Sequence, residues 1–259
     1  MPFKDIRYKE PKYPHQAYEE RVVAFIDLLG FSDMVGHTEA NVKELRHLTA
    51  ALKSLYERIW SWEADGSNSS FAFTQFSDSI VISALAESSD SYEMLMQVLI
   101  GVMELVDSYE ILVRGGIARG KLIHDRTMLV GPAMVEAYHL ESKKAIYPRI
   151  IIDEALKTQF DADVEEYIKT HTTLSEVPRF NKMFKQDDDG WFYLDYIDPA
   201  PEYNIELNPD EHLKVLDELV ANGLQSEDTR VRAKYEWLEK KVDAARIHQQ
   251  THPEDYVID

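Results

Sequence analysis

Two aspartates, one at the end of an expected strand and one in an expected turn, are the residues of this chain best suited to chemistry. Asp27 ends the apolar run VVAFID, and a glycine, Gly30, follows shortly after. Asp78 lies between two apolar runs, FAFTQF and IVISAL, which predict the two strands of a β-hairpin. Because an unpaired carboxylate is costly to bury, each aspartate needs a cation, a hydrogen-bond donor or water as its partner.

The order of the expected elements brings these two aspartates together. The pattern predicts the following elements: a strand at 21–27, a helix at 39–60 with Thr38 as its cap, a hairpin at 71–76 and 80–85, a helix at 91–108, a strand or strand pair at 111–123, a helix at 130–143 and a strand at 147–152. This βαββαβ order is typical of ferredoxin-like and polymerase-palm-like sheets. In such a sheet the end of the first strand lies beside the hairpin turn.

Two ionised carboxylates that face each other there need neutralisation. At a separation of ~4 Å they repel by ~1–4 kcal/mol, depending on the local dielectric. A shared divalent cation relieves this repulsion and creates a phosphate site. The turn Leu28–Phe31 leads into a helical segment, so its backbone N–H groups can point at an anion. The alternative is that Asp27 caps a strand and Asp78 is an ordinary turn residue.

The remainder of the chain contains an acidic patch at 187–190 and predicts an aromatic strand at 191–197 and two helices at about 209–222 and 226–249. We therefore expect an α+β protein with three parts: an N-terminal arm at 1–20, a catalytic domain at 21–200 and a C-terminal helical extension at 201–259.

Composition narrows the classes of partner. The chain has 28 Lys and Arg against 47 Asp and Glu, a formal net charge of −19, which disfavours binding to nucleic acid or to a membrane surface. It has no cysteine, which excludes disulfides and thiolate zinc sites and fits a reducing cytosol. No signal peptide is visible, and the longest apolar run, at 94–106, is too short to span a bilayer. We expect a cytoplasmic protein.

Four motifs in order resemble those of the class III nucleotide cyclases. The segment FIDLLGF resembles their first metal motif, FSDS their second metal-binding hairpin, and VRGGIARG their R-x-G-I-x-x-G strand. GPAMVEAYHLE stands where they carry G-x-x-V-N-x-A-x-R-L. The motifs span about residues 21–152, roughly half of the chain. The resemblance implies the class III cyclase catalytic fold, with helices on one face of the sheet.

The resemblance also implies a site. Asp27, Asp78 and the Leu28 carbonyl would hold two divalent ions, Mn²⁺ or Mg²⁺, and Leu29, Gly30 and Phe31 would donate N–H groups to a triphosphate. Class III domains work as head-to-tail dimers, so a homodimer with sites at the interface is implied. Four side chains could contact the phosphates of a nucleotide bound to the partner: Arg119, which we favour as catalytic, Arg114, Arg149 and His139. Each of them could equally have a structural role.

Departures from the purine cyclases point to another base. Where those enzymes read the purine, this chain has Thr74 and Met128, and their transition-state Asn and Arg fall on Val135 and His139. A pyrimidine pocket should be partly filled by larger side chains, so Thr74, Met128, Tyr56 and Phe73 are expected to line it, although core packing suits Tyr56 better.

Nearly the whole chain resembles the pyrimidine cyclases of bacterial Pycsar anti-phage systems. This implies a uridylate cyclase that converts UTP to cyclic UMP, which activates a separate effector. Two alternatives stay open: a cytidylate cyclase that makes cyclic CMP from CTP, and a catalytically silent nucleotide-binding module. Another palm-like nucleotidyltransferase is disfavoured, because the sequence has no G-G-D-E-F-like motif and its acidity suits no polynucleotide template.

Overall fold

A computed structural model describes residues 17–64, 70–86, 89–170, 183–198 and 208–256. Its strands are β1 (Glu19–Leu28), β2 (Ala72–Phe76), β3 (Ser79–Leu85), β4 (Val113–His124), β5 (Leu129–Val130), β6 (Ile150–Ile152), β7 (Phe184–Gln186) and β8 (Phe192–Leu194). Its α-helices are α1 (Phe31–Thr38), α2 (Val42–Ala64), α3 (Ser89–Tyr109), α4 (Pro132–His139), α5 (Glu154–Thr170), α6 (Pro209–Gly223) and α7 (Thr229–Thr251). A π-helical turn, Leu140–Lys144, continues α4.

The strands form one sheet in the order β2-β3-β1-β4-β6-β8-β7, with β5 paired to β4 outside this path. The first four strands of that order are antiparallel, whereas β4 and β6 are parallel. The order β2-β3-β1-β4 with helices in the two crossovers is the ferredoxin-like βαββαβ arrangement. The predicted α+β class is therefore confirmed.

Some boundaries differ from the prediction. The helix expected at 39–60 begins at Val42 and extends to Ala64. The prediction that Thr38 caps it is wrong, because Thr38 ends the separate helix α1 and donates its hydroxyl to the Val35 carbonyl, whereas the Asn41 side chain accepts a hydrogen bond from the Lys43 N–H at 3.0 Å. The helix expected at 130–143 begins at Pro132 and ends as the π-helical turn. Strand β7 and helix α5 were not predicted. Of the expected arm at 1–20, residues 1–16 lie outside the described residues, and β1 begins at Glu19.

Helices cover both faces of the sheet rather than one. Alternate residues of β1, such as Val22 and Ile26, point to the face where Tyr56 of α2 packs edge-on against Phe73 of β2. The opposite face carries Phe25, whose ring meets Tyr138 of α4 at 5.6 Å. Asp27 lies two residues beyond Phe25 and shares its face; we call this side the Asp27 face.

The two C-terminal helices pack together and join the core through buried polar contacts. His212 of α6 is hydrogen-bonded to Asp107 of α3 at 2.5 Å and to the Tyr196 carbonyl at 2.7 Å. Within the described part of the chain, no helix is both long and apolar enough to cross a bilayer.

Candidate active site at the end of strand β1

The pairing of β1 positions Asp27 between two neighbouring strands. Asp27 lies opposite Ser79 of β3 on one side and opposite Arg114 of β4 on the other. The Leu28 N–H donates to the Asp78 carbonyl at 3.1 Å, so the β2–β3 turn adjoins the end of β1. The order of the elements therefore places the two aspartates at one edge of the sheet, where Ser77 of the turn takes a left-handed backbone conformation with φ 57°.

Arg114 links Asp27 to a third carboxylate. Its guanidinium lies 3.2 Å from Asp27 Oδ2 and forms an ion pair with Glu141. The Glu141 side chain is only 4% exposed, whereas those of Asp27 and Arg114 are 19% and 25% exposed. We call Asp27, Asp78, Glu141 and Arg114 the Asp27 cluster.

The backbone of helix α4 packs closely against strand β4, and this places Glu141 in the cluster. A Cβ atom at Gly116 would lie 2.5 Å from the Ala137 carbonyl oxygen and from Leu140 Cβ, so only glycine lets α4 come this near to β4. Glu141 sits in the π-helical turn that follows, an irregularity often found at functional sites.

The electrostatics of the cluster are unbalanced. Burial raises the pKa of Asp27 above its ordinary value of 3.8; repulsion from Asp78 adds to the rise, and Arg114 opposes it. Burial likewise raises the pKa of Glu141, with Asp27 and Asp78 contributing, against the opposing effect of Arg114. Lys234 of α7 is a second cation that acts on Asp27, and its own pKa is lowered by burial and then by Arg114. Three carboxylates thus lie near two cations, and the pKa of one of these cations, Lys234, is lowered.

The turn after β1 fits the expected phosphate cradle only in part. The Leu29 N–H donates to the Leu112 carbonyl at 2.9 Å, so the prediction that Leu29 donates to a phosphate is wrong for this conformation. Gly30 has φ 78°, a left-handed conformation that favours glycine, and helix α1 begins immediately after it. As the first residues of a helix lack intrahelical acceptors for their N–H groups, Phe31 is well placed to donate to an anion.

The residues predicted to contact the base do not all lie together. Thr74 is on the Asp27 face, since it pairs with Val81, which in turn pairs with Phe25. Met128 lies in the turn after β4, where its side chain is exposed, and its N–H donates to Asp125. Tyr56 packs against Phe73 on the opposite face of the sheet, so the structure does not bring it together with Thr74.

The side chains predicted to contact phosphates in a partner do not lie near Asp27 either, with the exception of Arg114. Arg119 lies five residues beyond Arg114 on β4, ~17 Å along the strand, and its Nε is 3.6 Å from Glu20. Within one chain it is therefore not brought to Asp27. His139 is exposed at the end of α4. Arg149 is completely buried in ion pairs with Asp187 and Asp189, so the prediction that it reaches a partner's phosphate is wrong.

Sequence reasoning missed two members of the site and the function of a third. Glu141 was noticed only as part of a motif, and Arg114 only as a possible contact in a partner. Lys234 comes from a helix more than a hundred residues away, and nothing in its local sequence signals the proximity.

The residues present fit a divalent cation of the kind that binds with a phosphorylated ligand. No group of three or more His, Asp or Glu side chains positioned to hold a metal occurs within the described residues. Mg²⁺, however, is usually bound through one or two carboxylates together with substrate phosphates. Asp27, Asp78 and the Leu28 carbonyl provide such a set. The pKa of Asp27 is raised first by burial and then by repulsion from Asp78, and a bound cation would offset both effects.

The chain is similar to several solved cyclase structures. It resembles the adenylyl cyclase CyaB from P. aeruginosa (15% identity, 57% of this chain, 82% of that chain, TM-score 0.42). It also resembles the guanylyl cyclase domain of the RhoGC fusion protein from Blastocladiella emersonii (15% identity, 69% of this chain, 94% of that chain, TM-score 0.42). A bacterial light-regulated adenylyl cyclase is similar as well (13% identity, 80% of this chain, 100% of that chain, TM-score 0.41). No protein-family model and no curated protein matches the sequence. Likenesses of this size leave the function to be argued from the residues of the chain.

Proposed function

We propose that this protein is a metal-dependent nucleotide cyclase that converts UTP to 3′,5′-cyclic UMP and pyrophosphate. The observation that carries the metal and phosphate part of the proposal is the Asp27 cluster, in which carboxylates outnumber cations beside the start of helix α1; the choice of UTP rests on the motif resemblance. Such a cluster attracts a divalent ion, and the adjoining helix start attracts a phosphate.

In the reaction the ribose 3′-hydroxyl loses its proton to water and its oxygen bonds to the α-phosphorus. The bond from that phosphorus to the bridging oxygen of the β-phosphate breaks, and pyrophosphate leaves. Asp27, Asp78 and the Leu28 carbonyl would hold two ions, Mn²⁺ or Mg²⁺, which lower the pKa of the attacking hydroxyl and stabilise the departing charge when bound. Phe31 donates its N–H to a phosphate oxygen, and Arg114 and Lys234 limit the negative charge around Asp27. Catalysis consists mainly of positioning and charge stabilisation.

The exposed apolar side chains support a homodimer. Phe76, Val135 and Tyr138 are 81%, 54% and 47% exposed; Phe76 shares the Asp27 face, and the other two belong to α4, which packs on that face. A cluster of this kind on a soluble domain is typical of an interaction site. A second copy placed there would bring further groups to the ligand. Arg119, the cation predicted from the motifs for this role, pairs with Val22 and lies on the opposite face of the sheet, so a dimer formed through the Asp27 face would not use it. The role in anti-phage defence, with a separate effector that responds to cyclic UMP, rests on the motif resemblance.

One observation favours the silent nucleotide-binding module as the second candidate. Arg114 bonds to the Asp27 carboxylate that a metal ion would need. If Arg114 stays there, the chain can bind a triphosphate without turning it over.

The test incubates purified protein with ATP, GTP, CTP or UTP and Mn²⁺ and identifies cyclic products by mass spectrometry. We expect cyclic UMP from the wild type and none from Asp78→Asn, while Asp243→Asn, which changes an exposed carboxylate on α7, retains activity. Cyclic CMP alone would make the enzyme a cytidylate cyclase. Nucleotide binding without any cyclic product would support the silent module.

A further inference from the structure

Three charged residues lie side by side at the end of the sheet where β1 finishes. Asp27 is opposite Arg114 in the pairing of β1 with β4. In the pairing of β4 with β6, Gly115 is opposite Ile150, so the residues that precede them, Arg114 and Arg149, are also neighbours. Asp27, Arg114 and Arg149 therefore form a row across successive strands, and we call it the strand-end row.

The packing of helix α7 fixes the direction in which it crosses this row. Lys241 Nζ lies 5.9 Å from the centre of the Tyr193 ring, which belongs to β8. Trp237 is one turn nearer the start of the helix, and its ring lies 5.8 Å from the guanidinium carbon of Arg149, just before β6. Since the sheet order is β1-β4-β6-β8, the helix leads from β8 towards β4 and β1 when it is followed back towards its N-terminus.

Lys234 is the residue of α7 that this direction brings to the Asp27 cluster. It lies three residues before Trp237, so it is on the same side of the helix and ~4.5 Å nearer the N-terminus. Neighbouring strands are ~4.8 Å apart, so this step is about the distance from Arg149 to Arg114. The electrostatics agree, because burial and then Arg114 lower the pKa of Lys234, and Asp27 opposes them.

Lys234 lies beside these charges without an ion pair of its own. Within the described parts of the chain, no carboxylate oxygen lies within 4 Å of its ammonium group, whereas Lys241 on the same helix is 2.7 Å from Asp187. The Lys234 side chain is partly exposed. Its ammonium group can therefore bind a ligand without first breaking a bond within the protein.

We propose that Lys234 binds the polyphosphate of the nucleotide that Asp27 and Phe31 hold in the same chain, so that helix α7 forms one wall of the active site. An ammonium group on a flexible stem is a common ligand of phosphate and has three hydrogens to donate. This inference rests on the proposed function. It adds a substrate-binding residue from a helix that lies beyond the four motifs, and it makes the C-terminal extension part of the site.

The charges of the Asp27 cluster explain why a phosphate would need this lysine. Carboxylates that attract a metal ion also repel those phosphate oxygens that the metal does not contact, and a nearby ammonium group offsets this repulsion. Arg114 is already bonded to Asp27 and Glu141, so it has to move before it can meet a phosphate. Lys234 does not, and since it belongs to the same chain as Asp27, the contact is independent of where a second copy lies.

The test measures the binding of inorganic tripolyphosphate to the full chain by calorimetry in the presence of Mg²⁺. This probe has the phosphate chain without a ribose or base, so it cannot be cyclised. We expect Lys234→Met to bind it about 10- to 100-fold more weakly than the wild type, the size of one hydrogen bond to a charged group. Lys240→Met, which removes an exposed lysine from the same helix, should bind as the wild type does. Thermal melts check folding, and Lys234→Gln replaces Lys234→Met if that variant does not fold.

Equal affinity in the wild type and Lys234→Met would overturn the inference, as would an equal loss in Lys240→Met or a wild type that binds no tripolyphosphate. None of these results bears on cyclisation, which the product assay measures separately. If the wild type forms no cyclic product, the cyclase proposal fails, and the titration still decides whether Lys234 binds polyphosphate.

Discussion

Two arginines in this molecule, the partly exposed Arg114 and the completely buried Arg149, are each paired with acidic side chains, yet their surroundings differ. Around Arg114 lie Asp27, Asp78 and Glu141, with Lys234 as the second cation. Around Arg149 lie Asp187 and Asp189, with Lys241 2.7 Å from Asp187. The charges near Arg149 are balanced two to two, whereas those near Arg114 leave an excess of carboxylates. We call the second group the Arg149 cluster.

The Arg149 cluster also has more hydrogen bonds and better packing. Trp237 Nε1 donates to Asp187 at 2.8 Å, and the Trp237 ring stacks on Tyr147 with 5.4 Å between centroids. Burial alone would raise the pKa of Asp187, but hydrogen bonds from Lys241, the Asp188 N–H and Trp237, with the charge of Arg149, hold it below 3.8. The cluster thereby attaches helix α7 to the β7–β8 turn.

The opposite directions of the pKa shifts explain what each cluster does. Carboxylates whose charge is stabilised by neighbours, as in the Arg149 cluster, hold a fold together. Carboxylates whose charge is opposed by burial and by one another, as in the Asp27 cluster, are in a state that a bound cation would relieve. Shifts of the second kind concentrate at functional sites.

Replacing one aspartate from each cluster should separate activity from stability. Asp27→Asn should reduce formation of cyclic product by ~10⁴-fold or more, the size typical of removing a catalytic group, while the variant melts at or above the wild-type temperature. Asp187→Asn should melt at a lower temperature but keep its activity per folded molecule well below that temperature. Product assays and thermal melts on the same samples check this; similar losses of activity in both variants would contradict it.

Replacing the two arginines should give the same ranking for stability. Arg149→Met leaves Asp187 buried with fewer partners, so we expect a loss of ~3–5 kcal/mol in the free energy of unfolding. Arg114→Met should cost less than Arg149→Met, because Asp27 is partly exposed to water and the buried Glu141, whose pKa is raised, can take up a proton. Urea titrations measure both values, and equal losses would remove the distinction between the clusters.

The smallest expected effect is a difference in pH dependence. Glu141 keeps its proton to a higher pH in the folded than in the unfolded state, so its contribution to stability falls as pH rises above about its ordinary 4.5. The pKa of Asp187 is lowered, so its stabilisation is present above 3.8 and is lost as pH falls further. In metal-free buffer, Glu141→Gln should gain stability relative to the wild type between pH 4 and 7.

Glu136→Gln, which changes an exposed carboxylate on α4, is the control for that series and should show no such gain. A constant difference between Glu141→Gln and the wild type across the range would mean that Glu141 is not destabilised by its neighbours.

Sequence alone predicted the elements that carry a strong local pattern. The alternation around Asp78 predicts the hairpin, and the order of elements predicts the four central strands and the neighbourhood of Asp27 and Asp78. It could not predict that Glu141 turns inward, because this depends on the approach that Gly116 permits between α4 and β4. The sequence also could not predict the surroundings of Lys234 and Arg149. These depend on how helix α7 packs against the sheet, and the residues that contact each of them are distant in sequence.

The contrast between the clusters is tested most directly by crystals grown with Mn²⁺ and a UTP analogue that has a methylene group between the α- and β-phosphorus atoms. We expect an anomalous manganese peak between Asp27 and Asp78, with Arg114 no longer bonded to Asp27, and none at Asp187 or Asp189. A clearly bound analogue without manganese at Asp27, or manganese at Asp187 instead, would contradict our assignment of the active site.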